Sequence, residues 1–136
     1  MTSNDNEKTA ILFVSRGGGI ASCAALLARH AAHLKEIEAF AAYTNTQMQE
    51  PDELLEQVMS EDGLDLATIV PLALGKDLLD YCQVVVTLGG VKAEDVGEHP
   101  KVLHWDLPST DGQDIVTIRK IFEDLRWKVK ELVDGI

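Results

Sequence analysis

The sequence predicts an α/β protein with three layers, α/β/α, built on a four-stranded parallel sheet. Short apolar runs, among them residues 10–14 and 83–88, have the length and continuous hydrophobicity of strands that are buried on both faces. These runs alternate with segments of helical character, an order that favours parallel strands covered by helices on both sides. The 136 residues fit one compact domain. We therefore predict a disordered segment at 1–8 and a single domain at 9–136.

The first half of the chain begins with the strand at 10–14, which ends in a glycine-rich turn. The alanine- and leucine-rich segment 20–34 predicts a helix, because these residues have high helix propensity. A second strand is predicted at 37–42. Pro51 is followed by two acidic residues and indicates the start of a helix at 51–59, since proline suits the first turn and acids favour the positive end of the helix dipole.

The second half of the chain contains two further strands and two further helices. A short helix at 76–81 precedes the clearest strand, the valine-rich run at 83–88. A short fourth strand is predicted at 102–104. Apolar residues recur at spacings of three and four over 115–133, which predicts an amphipathic helix that packs one face on the sheet.

Charge and composition exclude several classes of function. Acidic residues outnumber basic residues by 23 to 12, and the formal net charge of −11 argues against a nucleic-acid or anionic membrane partner. No apolar run approaches the roughly 20 residues of a membrane helix, and the polar N-terminus lacks a signal-peptide pattern. The cytoplasm is therefore the expected compartment. Cys23 and Cys82 lie far apart and have no metal-ligand spacing. No metal and no cofactor are predicted.

Three loops follow predicted strand ends, at 15–19, 89–90 and 105–112. Ligands of open parallel sheets bind beyond the carboxyl ends of the strands, so we expect these loops to meet and form the site. In the first loop, backbone N–H groups at a helix N-terminus suit an anion. The same glycines could equally serve only the dihedral angles of the turn, and the sequence leaves both interpretations open.

The segment 12–22, with the sequence LFVSRGGGIAS, resembles the signature loop of one enzyme family. This family comprises the low-molecular-weight protein tyrosine phosphatases and the thioredoxin-coupled arsenate reductases. Segments 58–66, 84–88 and 104–108 are similar to later parts of the family pattern, in the same order, and the closing amphipathic helix also fits. The resemblance covers almost the whole chain and implies the family's fold.

The departures from the family pattern fall on its catalytic positions. The resemblance implies a cysteine nucleophile, an arginine six residues further on and an aspartate general acid after the fourth strand. This sequence has Ser15, Ala21 and Ser109 at those positions, and Gly89 where arsenate reductases have another cysteine. A serine needs a general base to attack, an alanine cannot hold phosphoryl oxygens, and a missing acid typically costs ~10²–10⁴-fold in rate.

We therefore predict a family member without catalytic residues that acts as a binding or regulatory protein. Its partner would be a small oxyanion or another protein. Arg16 is predicted to face solvent, and His104 to be a structural histidine. The candidate anion-binding loop consists of Ser15, Arg16, Gly17, Gly18, Gly19, Ile20, Ala21 and Ser22.

Three alternatives remain at this stage. The first is an active phosphatase or arsenate reductase that uses Ser15 or a displaced nucleophile, with Asp106 or Asp111 as a substitute acid. The second is a phosphocarrier that resembles the sugar phosphotransferase domains, although those also need a cysteine at the start of the loop. The third is dinucleotide binding, which is weakened because Ser22 stands where the third glycine of that motif belongs.

Overall fold

The computed structural model describes residues 9–16, 19–32, 36–44, 53–99, 101–108 and 112–136. Its strands are β1 (Thr9–Ser15), β2 (Ile37–Tyr43), β3 (Leu72–Ala73), β4 (Val84–Thr87) and β5 (Val102–His104). Its α-helices are α1 (Gly19–Ala31), α2 (Glu53–Glu61), α3 (Lys76–Tyr81) and α4 (Ile115–Asp134), and two short 3-10 helices span Leu66–Thr68 and Ala93–Val96. The segment predicted to be disordered, 1–8, lies outside the described residues.

All strands are parallel, and the sheet has the order β3-β2-β1-β4-β5. The prediction of four strands is wrong by one, because β3 adds a short edge strand in which Leu72 pairs with Ala42. This strand has only two residues, and both are exposed, so it has no apolar run that a sequence pattern could reveal. The chain places β2 on one side of β1 and β4 on the other, which sets the loops after β1 and β4 side by side.

The three predicted layers are confirmed by the two apolar clusters that flank β1. Side chains alternate between faces along a strand. Ile11 and Phe13 belong to the cluster that includes residues of α1, α2 and α4, whereas Leu12 and Val14 belong to the cluster on the other face. That second cluster is completed by residues of α3 and of the 3-10 helix at Ala93–Val96.

Two ion pairs join the end of α2 to α4. Arg119 of α4 forms a two-pronged pair with Glu61, at 2.7 Å between Nη2 and Oε2 and 3.2 Å between Nε and Oε1. Arg126, two turns further along α4, pairs with Asp62. Asp114 caps the N-terminus of α4, and its carboxylate accepts a hydrogen bond from the Thr117 N–H at 2.8 Å. Exposed ion pairs contribute little to stability, and α4 is held against the same sheet face as α1 by its buried apolar side chains, among them Ile118, Phe122 and Leu125.

The observed elements agree closely with the predicted ones. The helix predicted at 76–81 is α3, and the strand predicted at 102–104 is β5. α2 extends to Glu61, two residues beyond its predicted end, whereas its predicted start at Pro51 lies outside the described residues. Within the described ranges, no helix is both long and apolar enough to cross a membrane.

Candidate functional site

Ser15 is the last residue of β1 and lies on the sheet face that α1 covers. Phe13, two residues earlier, belongs to the apolar cluster on that face, and side chains two apart along a strand share a face. Ser15 is only 1% exposed. A Cβ atom on Gly89 would lie 3.1 Å from the Ser15 Cβ and 2.8 Å from Cγ2 of Ile20. The backbone of Gly89, with a φ of +59°, therefore packs directly against Ser15.

The position of the family arginine lies inside α1. Residues 16–18 alone separate β1 from α1, so Ile20, Ala21 and Ser22 are helical rather than part of an extended loop. Ala21 has no exposed surface and belongs to the core between the sheet and the helices. A residue in that position cannot present a charge to a ligand. Gly17 and Gly18 lie outside the described residues, and whether the predicted loop binds an anion stays a prediction.

Ser22 is a buried polar residue in the first turn of α1. It is 2% exposed, and its hydroxyl has no hydrogen-bond partner within the described part of the chain. Bonds from Cα to Cβ in a helix tilt toward the N-terminus, so this hydroxyl leans toward the turn at 16–18. The N–H groups of a first helical turn also lack partners within the helix. The Ser22 side chain and these N–H groups therefore lie at the same end of α1.

Arg16 is exposed, and its side chain runs across Gly90. A Cβ atom on Gly90 would lie 2.7 Å from Cδ of Arg16 and 3.9 Å from Nη1. Gly90 has a φ of +94°, a conformation that side chains rarely adopt. The prediction that Arg16 faces solvent agrees with its exposure, but the aliphatic part of the side chain follows the turn after β4.

His104 lies on the opposite face of the sheet from Ser15. Its Nδ1 atom is 2.8 Å from Oγ1 of Thr87, which is fully buried. Thr87 pairs in register with both Val14 and His104, and Val14 belongs to the cluster on the face away from α1. His104 therefore has a structural partner and cannot act as a base toward Ser15.

The three loops expected to meet at the carboxyl edge are in contact where the structure describes them. The Gly89 N–H donates a hydrogen bond to the Leu107 carbonyl at 3.0 Å, which joins the second loop to the third. Trp105 packs on Phe13 with ring centroids 5.8 Å apart. Asp106 is exposed. Ser109 and Asp111 lie outside the described residues, so their proposed places in the site stay predictions.

The two thiols lie on opposite faces of the sheet. Cys23 belongs to the cluster beneath α1, and Cys82 belongs to the other cluster. Burial, with a smaller contribution from the nearby Glu38 carboxylate, raises the pKa of Cys82 to about 11, so this thiol is protonated at neutral pH. No group of three or more potential metal ligands occurs among the described residues.

A cleft of about 580 Å³ opens at the other end of α1, and sequence analysis missed it. Leu27, Leu64 and Val129 form its apolar floor, and the Arg126–Asp62 pair lies at its rim. The C-terminal half of α1 lines it, so it lies at the sheet edge opposite to Ser15. Three separate segments build the cleft, and no single stretch of sequence carries a signal for it.

The fold is that of the low-molecular-weight protein tyrosine phosphatases and arsenate reductases, and the resemblance found in the sequence is confirmed. No family model matches the chain. A curated Halobacterium salinarum protein, described as "Putative arsenate reductase", is 35% identical over 78 residues, which are 57% of this chain and 55% of that protein. The match thus spans about half the length of the curated relative.

Two solved structures show the same fold at low sequence identity. A low-molecular-weight protein tyrosine phosphatase from T. tengcongensis matches with a TM-score of 0.81 at 18% identity, over 94% of this chain and 99% of its own. A thioredoxin-dependent arsenate reductase from Corynebacterium glutamicum matches with a TM-score of 0.73 at 22% identity, over 93% of this chain and 61% of its own.

Proposed function

We propose that this chain is a member of the low-molecular-weight phosphatase and arsenate reductase family that has lost catalysis at its loop and binds a small oxyanion there. The fold and the curated relative support the family. The loss of catalysis is supported by three features of the described residues: the burial of Ser15, the core position of Ala21 and the partner of His104. Each of them removes one part that a phosphoryl-transfer site needs.

The burial of Ser15 is the observation that carries the proposal. A nucleophile must approach the reacting atom to within about 3–3.5 Å in a defined direction. Ser15 is 1% exposed, and the backbone of Gly89 packs against it. A phosphate ester therefore has no direct path to its hydroxyl. His104, whose strand ends at the same edge of the sheet, is hydrogen-bonded on the other face of the sheet.

The missing arginine leaves the negative charge of the transition state without a stabilising cation. An arginine held at the start of the helix would bind two phosphoryl oxygens and offset the charge that develops on them. Ala21 has 0% exposed surface and lies among apolar neighbours. Replacing it with a cation would bury that charge rather than present it to a substrate.

Oxyanion binding is supported by what the loop retains. The N–H groups of the first turn of α1 lack partners within the helix, and Gly19 at its start is partly exposed. A tetrahedral oxyanion at the start of α1 would accept hydrogen bonds from these N–H groups. The Ser22 hydroxyl is as buried as Ser15 and offers a ligand no more direct path. The positive end of the helix dipole would favour the same charge.

Hydrolysis of para-nitrophenyl phosphate tests the catalytic part of the proposal. The wild-type protein and the Ser15→Ala variant should both release para-nitrophenol no faster than buffer. Since Ser15 is buried, melting curves of both proteins must show that the variant is folded. Turnover by the wild type that disappears in Ser15→Ala would establish Ser15 as a nucleophile and would refute the proposal.

An arsenate reductase-type enzyme is the second candidate, and the description of the curated relative favours it. Such chemistry needs a reactive thiol that a second thiol can resolve. In this chain, Cys23 and Cys82 are buried on opposite faces of the sheet. We expect no arsenite from arsenate in the presence of thioredoxin, thioredoxin reductase and NADPH. Arsenite formation that stops in Cys23→Ala or Cys82→Ala would support this candidate instead.

A further inference from the structure

We propose that an apolar patch on the sheet face away from Ser15 is a docking surface for a partner protein that presents arginine between apolar side chains. This surface, the edge patch, consists of Phe40 of β2, Val70, Leu72 of β3 and Tyr81 of α3. The inference goes beyond the proposed function and does not depend on oxyanion binding, because the patch and the loop after β1 use different residues on different faces of the sheet.

The first support is that exposed apolar side chains gather at this place. Seven large apolar side chains are exposed within the described part of the chain, and three of them belong to the edge patch. Val70 is 73% exposed, Leu72 46% and Tyr81 53%. Exposed apolar residues that stand alone are ordinary, whereas a contiguous apolar patch is typical of an interaction surface.

The second support is that strand geometry places these side chains on one face. Leu72 pairs with Ala42, and both Ala42 and Phe40 belong to the apolar cluster on the face away from α1. The residue after Val70 is a proline, which favours an extended backbone, so Val70 and Leu72 point to the same side. Ile69 agrees with this direction, because its backbone is extended and its side chain belongs to the opposite cluster.

The third support is that this face of the sheet has a thin cover. The helix over it, α3, has six residues and none of them is buried, whereas α1 and α4 on the other face have 13 and 20 residues. The apolar side chains that pack against the cluster from this side are only partly buried; they are Phe40, Leu74, Leu78, Leu79 and Val102. A partner can therefore bury apolar surface that the chain leaves open.

Tyr81 is held in place although its side chain is half exposed. Its hydroxyl donates a hydrogen bond to Oε1 of Glu38 at 2.5 Å, and its ring meets the ring of Phe40 edge-on, with centroids 5.9 Å apart. A side chain that is already ordered loses little entropy when a partner binds. Tyrosines of this kind are frequent anchors of protein interfaces.

The charges around the edge patch favour a basic partner. β2, β3 and α3 together carry three acidic side chains, Glu38, Asp77 and Asp80, and one basic side chain, Lys76. Asp77 lies one helical turn before Tyr81 and is therefore its neighbour on the surface of α3. A second copy of this chain, with its net charge of −11, would be repelled.

The aromatic ring beside a carboxylate matches a guanidinium. Arginine stacks on aromatic faces and pairs with carboxylates. Glu38 accepts a hydrogen bond from a neutral hydroxyl and takes part in none of the described ion pairs, so its charge is not offset there. The segments 1–8 and 45–52, which lie outside the described residues, each have one methionine as their only large apolar residue, so they are poorly suited to cover the patch.

Fluorescence anisotropy with synthetic peptides tests the inference. The probe is a dye-labelled, amidated hexapeptide in which arginine and leucine alternate. One comparison peptide replaces the leucines with serine, and the other replaces the arginines with glutamate. We expect the arginine–leucine peptide to bind the wild type, and each comparison peptide to bind at least about 5-fold more weakly, since the patch needs both apolar contact and positive charge.

Matched variants locate the binding on the protein. Val70→Ser and Glu38→Gln should each weaken binding of the arginine–leucine peptide about 5-fold or more; the glutamine can still accept the Tyr81 hydrogen bond, so this variant changes the charge alone. Val116→Ser, at a valine of α4 that is 70% exposed, and Glu123→Gln are the controls and should change affinity less than about 2-fold. Melting curves establish that all four variants are folded.

The outcomes separate this partner from other occupants of the patch. Selective weakening in Val70→Ser and Glu38→Gln supports the inference. Failure of the arginine–leucine peptide to bind, or equal effects of Val70→Ser and Val116→Ser, would refute it. Sedimentation velocity of the wild type gives a further check: a dimer that Val70→Ser dissociates would show that a second copy of the chain covers the patch, and would overturn the proposal of a basic partner.

Discussion

Thr87 holds His104 through a hydrogen bond of 2.8 Å between Oγ1 and Nδ1, on the face of the sheet away from Ser15. The register of β1, β4 and β5 fixes this arrangement, since Val14 pairs with Thr87 and Thr87 pairs with His104. His104, although its strand ends at the same edge of the sheet as Ser15, thereby has a structural partner. Its separation from Ser15 does not depend on side-chain rotation, because a strand residue cannot change faces.

The His104→Ala variant tests this assignment. Loss of one partly buried hydrogen bond should lower the free energy of unfolding by about 0.5–1.5 kcal/mol. Urea denaturation measures the change. His99→Ala is an informative companion, because His99 bonds to the Cys82 carbonyl at 2.8 Å through Nε2 and lies away from the loops. A His104→Ala protein that loses phosphate affinity while keeping full stability would contradict the structural role.

Ala21→Arg, which restores the family arginine in sequence, should fail to restore a site. Ala21 is fully buried in the core beneath α1, and a buried charge without a partner costs several kcal/mol. We expect a loss of more than about 3 kcal/mol in the free energy of unfolding, measured in urea. A stable Ala21→Arg protein that binds phosphate more tightly than wild type would show that position 21 can reach the ligand.

Gly89→Ala tests the close approach of the two loops. The added methyl group meets Ile20 at 2.8 Å and Ser15 at 3.1 Å, and the backbone φ is +59°. The strained backbone should cost about 1–2 kcal/mol, and the overpacking roughly 1–3 kcal/mol more. Gly63→Ala carries only the backbone cost, so thermal denaturation should rank Gly89→Ala well below it. Equal melting temperatures for the two variants would mean that the loops are not packed together.

The lowered pKa values of two acidic side chains predict how the free energy of unfolding changes in acid. Hydrogen bonds from Arg119 hold the pKa of Glu61 below its ordinary 4.5, and the Thr117 backbone N–H holds the pKa of Asp114 below 3.8. Both groups favour the folded state when ionised. Their contribution is present above the ordinary values and is lost as the pH falls through the lowered ones, from about pH 5 downward.

Denaturation between pH 6 and pH 2 in the Glu61→Gln and Asp114→Asn variants checks this expectation. Each variant should lose less stability on acidification than the wild type does. Glu123→Gln is the control, because Glu123 is an exposed carboxylate of α4 that takes part in none of the described ion pairs. This variant should lose as much stability on acidification as the wild type does. A variant curve parallel to the wild-type curve would contradict the prediction for that residue.

Both cysteines should be inert in the folded protein. Cys23 is 0% and Cys82 3% exposed, and the raised pKa of Cys82 keeps its thiol protonated. Reaction requires the thiolate. We expect no colour with a disulfide reagent at pH 8 during minutes of incubation, and two equivalents of reaction after denaturation. Rapid reaction of one thiol in the folded state would reveal an accessible nucleophile that the structure does not contain.

Most of the fold can be predicted from the sequence, because its strands and helices have recognisable local patterns of residues. The valine run of β4 and the three-and-four spacing of α4 need no tertiary information. β3 escaped prediction, since Leu72 and Ala73 are exposed and are a strand only through pairing with the end of β2. Edge strands of this kind are defined by their neighbour rather than by their own residues.

The sequence names candidate residues for a site, but it does not predict how they pack. Comparison with the family pattern shows that Ser15 and Ala21 stand where the family has its cysteine and its arginine. This comparison needs only the order of residues along the chain. The burial of Ser15 depends on the positive φ of Gly89 and on the approach of a loop from far along the chain. The contact between Arg16 and Gly90 likewise joins distant segments, and no local pattern encodes it.

Phosphorus-31 NMR of phenyl phosphate with the purified protein tests the central claim most directly, since one spectrum reports both binding and hydrolysis. The account predicts that the ester resonance shifts or broadens as protein is added, and that no inorganic phosphate signal grows over hours. An inorganic phosphate signal that grows with wild type and not with Ser15→Ala would contradict the claim of a silent site, and a resonance unchanged by protein would contradict the claim of oxyanion binding.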